Sequence, residues 1–151
     1  MSNLEANKQV VRNFIKALGE LDMERLLSFL AADVKFETTG HHAASGVKTK
    51  AQLAKELPAI REMLPNGIAF TEVSMTAEDD RVIAELRGRS KTVNGDDYNN
   101  HYCHYYQIRG KQIVAFRDYM DSALVERLMV PFFAAHGATA EDRARENAAS
   151  S

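Results

Sequence analysis

The spacing of apolar residues changes at Gly67, and that change limits the folds open to this chain. Before Gly67 apolar residues recur at helical intervals; after it they alternate, as strands require. Ser2 and Glu5 have the spacing of a capping box, and Val10, Val11, Phe14, Ile15 and Leu18 continue as the stripe of a first helix, which Gly19 should end. Asp22 can cap a second, short helix that turns Met23, Leu26, Leu27 and Leu30 inward. Past Asp33, the set Val34, Phe36 and Thr38 alternates with Lys35, Glu37 and Thr39 as a short strand. A glycine-bounded loop runs from Gly40 to Gly46. Thr49 and Gln52 repeat the capping-box spacing ahead of Leu53, Leu57, Ile60 and Leu64, the stripe of a third helix that Pro58 should kink or divide.

Pro65-Asn66-Gly67 is a turn, and the chain beyond it reads as strand. Segments 68–76 and 81–91 are joined through Glu78-Asp79-Asp80, and segment 92–98 holds the Asn94-Gly95 turn signal. Segments 100–109 and 112–120 make a hairpin through Gly110. Asp121 can then cap a final helix carrying Leu124, Val125, Leu128 and Met129, with Pro131 as its stop. Helices set apart from an antiparallel meander indicate an α+β domain, a strongly curved antiparallel sheet wrapped as a cone around the N-terminal helices. The interior of such a cone is a natural small-molecule pocket. The domain should occupy residues 1–137; the Ala-rich, charged tail 138–151 offers little apolar surface and is expected to be frayed.

Composition narrows the partners. Lys plus Arg is 19 and Asp plus Glu 21, and a net charge of −2 gives no reason to expect nucleic acid. The single Cys103 excludes an intramolecular disulfide and permits a reducing compartment. No apolar run approaches the roughly 20 residues that span a bilayer, and the first residues lack the features of a secretion signal, so a cytoplasmic protein is expected. His41 and His42 are loop neighbours without a third ligand at suggestive spacing, so no metal is expected. There is no phosphate-binding glycine loop, and no cofactor is expected.

Strand alternation puts Val114, Phe116, Asp118 and Met120 on one face. A carboxylate in such company is either exposed after all or held in a cavity for a purpose. On segment 81–91, Glu85, Arg87 and Arg89 alternate with Val82, Ala84, Leu86 and Gly88, and by residue type alone the charged row is the solvated one. Asn100, Tyr102, His104 and Tyr106 form one row of the next segment; His101, Cys103, Tyr105 and Gln107 form the other. The second row, with Arg117 and Tyr119 beside it, is too aromatic for an ordinary wet sheet surface, and a homodimer through that face is expected.

Gly95-x-x-Tyr98-Asn99, Gly110-Lys111-x-Ile113 and Phe116-Arg117-Asp118-Tyr119-Met120-Asp121 together resemble the signature of the nuclear transport factor 2-like superfamily. Within it the chain is most similar to SnoaL-like polyketide cyclases, ketosteroid-isomerase-like proteins and limonene-epoxide-hydrolase-like proteins, from the first helix to Met129. The resemblance implies a cystatin-like α+β barrel, dimerisation through the outer sheet face, and an acid or base at the bottom of the cone, the position Asp118 holds. It also implies that the charged row points inward. A polar pocket would then gather Asp118, Arg87, Glu85, His104 and Tyr102 for catalysis, with Arg87 as counter-charge to Asp118. Asn100, Phe36, Thr38, Leu57, Arg61, Arg89, Phe116 and Met120 would line it against a substrate. His104 would donate or relay a proton, and Tyr102 or Asn100 would hydrogen-bond a developing oxyanion. The epoxide-hydrolase branch pairs its aspartate with an Arg-x-Asp, whereas Glu85-Leu86-Arg87 reverses that order. Phe36 and Thr38 stand where that branch has a tyrosine and an asparagine, which argues against epoxide hydrolysis by its mechanism. The implied chemistry is cofactor-free proton transfer: isomerisation, aldol-type cyclisation, or water addition or elimination. A non-catalytic ligand-binding or association domain of the same fold is the alternative.

Overall fold

Short polar side chains set where the helices begin. In the computed structural model, which describes residues 2–136 and 148–149, Ser2 accepts from the Glu5 N–H and opens α1 (Asn3–Glu20). Asp22 accepts from the Arg25 N–H and opens α2 (Met23–Ser28). Thr49 and Gln52 form a complete reciprocal box at the head of α3 (Lys50–Met63). Each cap satisfies a backbone donor that the helix cannot use itself. Between these helices run β1 (Leu30–Thr38) and the very short β2 (Gly46–Lys48).

Four long strands complete the sheet: β3 (Ala69–Glu78), β4 (Arg81–Arg89), β5 (His101–Arg109) and β6 (Gln112–Met120). The β5–β6 turn has Gly110 at φ 57° and Lys111 at φ 66°, the double positive φ that matches the twist of a two-residue hairpin. The sheet order is β2-β1-β6-β5-β4-β3. The meander is antiparallel as expected, but β1 lies parallel to β6, so the sheet is mixed and open at both edges. Bulges interrupt β1, β3 and the β5–β6 pair, and such insertions bend strands. The concave face packs on α1 through Val11, Phe14 and Ile15, which meet Val82, Leu86, Tyr106 and Phe116 in one core.

Several local expectations give way to packing. Gly19 does not stop α1, which runs one residue further and ends on Leu21 in the left-handed region. Its role is close approach: the Gly19 carbonyl accepts from Ile68 N–H at 2.8 Å, and a Cβ on Gly19 would sit 2.6 Å from the Ile68 oxygen. Pro58 does not divide α3; it lies on the exposed side of the helix, where the loss of one backbone hydrogen bond is best tolerated. Pro131 does not close the final helix either. Asp121 caps α4 (Ser122–Leu124), a π-helical turn spans Val125–Met129, and α5 (Val130–His136) carries on through the proline. In the π turn Val130 N–H reaches Val125 O, and the widened ring gives Pro131 room it lacks in a regular helix. The expectation of a frayed tail from Ala138 falls almost wholly outside the described residues. Among the described residues no helix is long and apolar enough to cross a membrane.

Gly67 has φ 69°, and a Cβ there would stand 2.1 Å from the Gly19 oxygen. Gly67→Ala combines left-handed strain with that clash and should cost about 2–4 kcal/mol. Urea unfolding measures it; a loss below about 0.5 kcal/mol would mean that the α1–β3 junction does not need this contact.

Candidate active site

Strand register builds the site. Across the β5–β6 pair, Tyr102 faces Met120, His104 faces Asp118, and Tyr106 faces Phe116. The bulge between Gln107 and Ile108 adds a residue on β6 near Val114, so Ile113 and Phe116 are both buried while Val114 is only half-buried. From Phe116 on, the alternation expected for Asp118 holds. On the other side β1 sets Phe36 beside Phe116, with ring centroids 4.2 Å apart, and Thr38 beside Asp118. The Asp118 carbonyl accepts from Thr39 N–H at 3.1 Å and from Thr39 Oγ1 at 2.8 Å, which fixes the backbone beneath its carboxylate.

His104 is wholly buried, wedged edge-on against Phe116, Tyr102 and Tyr106. Its Nδ1 shares a hydrogen bond of 2.8 Å with Tyr106 Oη, and its Nε2 stands 3.1 Å from Asp118 Oδ1. That approach is close but does not meet hydrogen-bond geometry, so among the described residues Nε2 and Oδ1 are buried polar atoms without a hydrogen-bond partner. The Asp118 side chain keeps 18% exposure. A molecule entering from solvent therefore meets the carboxylate first and the imidazole behind it.

The cavity is about 140 Å³, comparable to the roughly 150 Å³ that accommodates a benzene-sized molecule. Leu26, Leu53, Leu57, Phe70 and Phe116 are typical of its walls, and Met129, Val130 and Phe133 from the C-terminal helix face it from the open side of the sheet. Its polar groups are few. Asp118 and His104 lie on β6 and β5, Tyr98 and Tyr102 nearby, and Thr38 on β1. Lys48 and Glu56 form a buried ion pair at 2.8 Å. Burial pushes the phenols of Tyr98, Tyr102 and Tyr106 well above the ordinary value of 10.0, and the Asp118 charge adds to it, so all three stay protonated.

Of the residues singled out from sequence, Asp118, His104, Tyr102, Phe36, Thr38, Leu57, Phe116 and Met120 line this cavity. Glu85, Arg87 and Arg89 do not. They are exposed on the outer face, while Val82, Ala84, Leu86 and Gly88 are buried beneath. The cause is packing: β4 lies over α1, and only its apolar row can be buried there. Arg87 and Asp118 thus lie on opposite faces, and His104 takes the place expected for Arg87 beside the carboxylate. Arg61 is exposed on α3. Asn100 is buried but committed to backbone: its Oδ1 accepts from Asp121 N–H and His101 N–H, and its Nδ2 donates to Asp121 O. The pocket is accordingly apolar with isolated polar groups, not the polar pocket expected.

Tyr98, Lys48 and Glu56 were not expected at the site. Glu56 had a signal, since it falls on the apolar stripe between Leu53 and Ile60. Lys48 sits on a strand of three residues, too short for alternation to register.

Lys48→Met takes away the cation 2.8 Å from the buried Glu56 carboxylate and should destabilise the fold, by up to about 3–5 kcal/mol, while Lys48→Met with Glu56→Leu should recover most of it; denaturant titration of both variants decides. For the phenols the sign is fixed by their raised values. Stability should be full below pH 10.0 and fall above it, as the unfolded chain loses protons that the native phenols retain. Tyr106→Phe should flatten that alkaline loss, read as unfolding free energy against pH.

A family model described as a SnoaL-like domain matches residues 11–116. No curated protein matches the chain in sequence. Among solved structures, PrhC of Penicillium brasilianum is similar at 14% identity and a TM-score of 0.78, over 89% of this chain and 91% of that one. A nuclear transport factor 2-like protein of Burkholderia pseudomallei is similar at 21% identity and 0.72, over 85% and 98%. An LEH-like epoxide hydrolase of M. tuberculosis is similar at 17% identity and 0.68, over 85% and 96%. At such identities the likeness is one of fold. With the family model spanning α1 to β6, the chain belongs to the SnoaL-like domain family.

Proposed function

We propose that this protein is a cofactor-independent enzyme that moves protons on a small, largely apolar substrate, with Asp118 as acid or base and His104 as its proton partner. The observation that carries this reading is the pair of buried, unsatisfied atoms, Asp118 Oδ1 and His104 Nε2, 3.1 Å apart in an apolar cavity. Unpaired buried polar atoms are costly and collect at functional sites. A carboxylate on the solvent side takes a proton from carbon or water, and an imidazole behind it steadies the charge or passes the proton on. A cavity that reaches Asp118 favours this over the association-domain reading, which suits a filled cone.

Isomerisation, aldol-type closure and water addition or elimination all begin with such a transfer, and abstraction beside a carbonyl suits this cavity best. Epoxide hydrolysis fits less well, because Phe36 and Thr38 line the wall where a tyrosine and an asparagine would be needed to hold water. The test is deuterium incorporation into small enolisable ketones and 1,3-dicarbonyls, from roughly benzene size upward, incubated with the protein in D₂O and read by mass spectrometry. Asp118→Asn should keep the fold and lower exchange by roughly 10²–10⁴-fold. Undiminished exchange in that variant would remove Asp118 from the mechanism.

The same reading includes a homodimer through the outer sheet face. Tyr119 is 47% exposed and Ile83 37%, and Arg117 lies 3.6 Å over the Tyr105 ring on this surface. Exposed apolar and aromatic groups beside a stacked arginine suit an interface. Light scattering at micromolar concentration should give the dimer mass, and Tyr119→Glu should give the monomer. A monomeric parent protein would refute it.

A further inference from the structure

We propose that the Lys48–Glu56 ion pair is a hydroxyl-binding subsite of this cavity, and that its ligand is a neutral molecule with a compact apolar body and a hydroxyl group. The Lys48 Nζ to Glu56 Oε2 distance is 2.8 Å, and the two side chains are only 8% and 7% exposed. Both residues line the cavity that also holds Asp118 and His104. On α3, Leu53, Glu56, Leu57 and Ile60 follow at helical spacing and all line that cavity, so Glu56 belongs to the inward face of the helix. Lys48 is placed by strand register. It pairs with Phe36, and Phe36 pairs with Phe116, while Thr38 pairs with Asp118 in the neighbouring row. The stacked rings of Phe36 and Phe116 thus lie alongside both polar pairs. The backbone fixes the arrangement, since the reciprocal cap of Thr49 and Gln52 joins β2 to α3 directly after Lys48.

A buried ion pair gives little stability that two apolar side chains of similar volume would not give as well. At the wall of an apolar cavity it has a second use. An ammonium has three N–H donors and a carboxylate about four lone-pair sites, so their mutual contact exhausts neither. Together they present a donor and an acceptor 2.8 Å apart with no net charge. A carboxylate ligand would meet Glu56 as a like charge, and an ammonium ligand would meet Lys48 in the same way. One hydroxyl answers both partners: its oxygen accepts from the Lys48 ammonium, and its O–H donates to the Glu56 carboxylate. The apolar body of the ligand then rests against Phe36 and Phe116. Naming that molecule the substrate rests on the reading of Asp118 as acid or base, whereas the subsite itself does not. On that reading the substrate is a carbon acid whose hydroxyl lies away from the carbon that exchanges its proton.

Phenol and toluene set a hydroxyl against a methyl group and are close to the size the cavity admits. Calorimetric titration compares them on the parent protein, on Asp118→Asn, and on Lys48→Met combined with Glu56→Leu. The parent should prefer phenol, although toluene is the more apolar ligand. The double variant should shift that preference by about 10- to 100-fold toward toluene. Asp118→Asn should keep the parent's preference, and it should bind phenol more tightly than benzoate. In proton–nitrogen NMR of the parent, the Lys48 ammonium resonance should move with phenol and stay in place with toluene, a readout that needs no folded double variant. An unchanged preference in a folded double variant, no phenol binding to the parent, a Lys48 resonance indifferent to phenol, or tighter binding of benzoate would overturn the proposal. Loss of the preference in Asp118→Asn would put the hydroxyl at Asp118 and overturn it too. Failure of the deuterium-exchange test would count against Asp118 as acid or base and leave the phenol preference standing, so the two readings fail separately.

Discussion

Everything in the site depends on one register, the pairing of β5 with β6 that sets His104 opposite Asp118. A slip of one residue would send every side chain of one strand to the other face. The slip is prevented at both ends. Gly110 and Lys111 fix the turn by their positive φ, and Asn100 fixes the far end by gripping Asp121. Between them Phe116 and Tyr106 meet Phe14 of α1, so a shifted strand would expose aromatic surface. The Asp118–His104 pair is thus placed by packing and turn chemistry rather than by its own attraction.

That explains how an off-line contact persists. His104 is held by Tyr106 on one nitrogen and by three rings around it, and Asp118 by Thr39 through its backbone. Neither side chain need reorganise to make a better bond with the other. Under the proposed function an incoming group satisfies both, and a site that waits in this form spends little on rearrangement.

Much of the fold was legible because helix caps and strand periods are local. Ser2, Asp22, Thr49 and Asp121 all act as the caps their spacing suggested, and the hairpin through Gly110 formed as read. The parallel pairing of β1 with β6 was not legible, since no local signal states which distant strand a short one will join. The prolines misled for a related reason: Pro58 is on a wet side and Pro131 comes after a π turn, and neither circumstance shows in residue type. In the site, alternation grouped Tyr102 with His104 and Phe116 with Asp118 correctly. The charged row of β4 was turned inward on the strength of a resemblance, against its own residue types. There the elementary reading of burial was the better guide: Ala84 and Leu86 lie against the core, and Glu85 and Arg87 face outward.

The loss of Arg87 from the site changes the chemistry that can be run there. An arginine beside Asp118 would hold a permanent countercharge over the base, lowering its drive to take a proton from carbon. His104 instead meets the carboxylate with one ring nitrogen 3.1 Å away, while Tyr106 holds the other. The cavity around the Asp118–His104 pair is walled by leucine and phenylalanine, and its phenols stay protonated. Under the proposed proton-transfer function, such a site suits substrates that are themselves neutral at the outset and gain negative charge only during the step. That points away from pre-ionised ligands and toward neutral carbon acids.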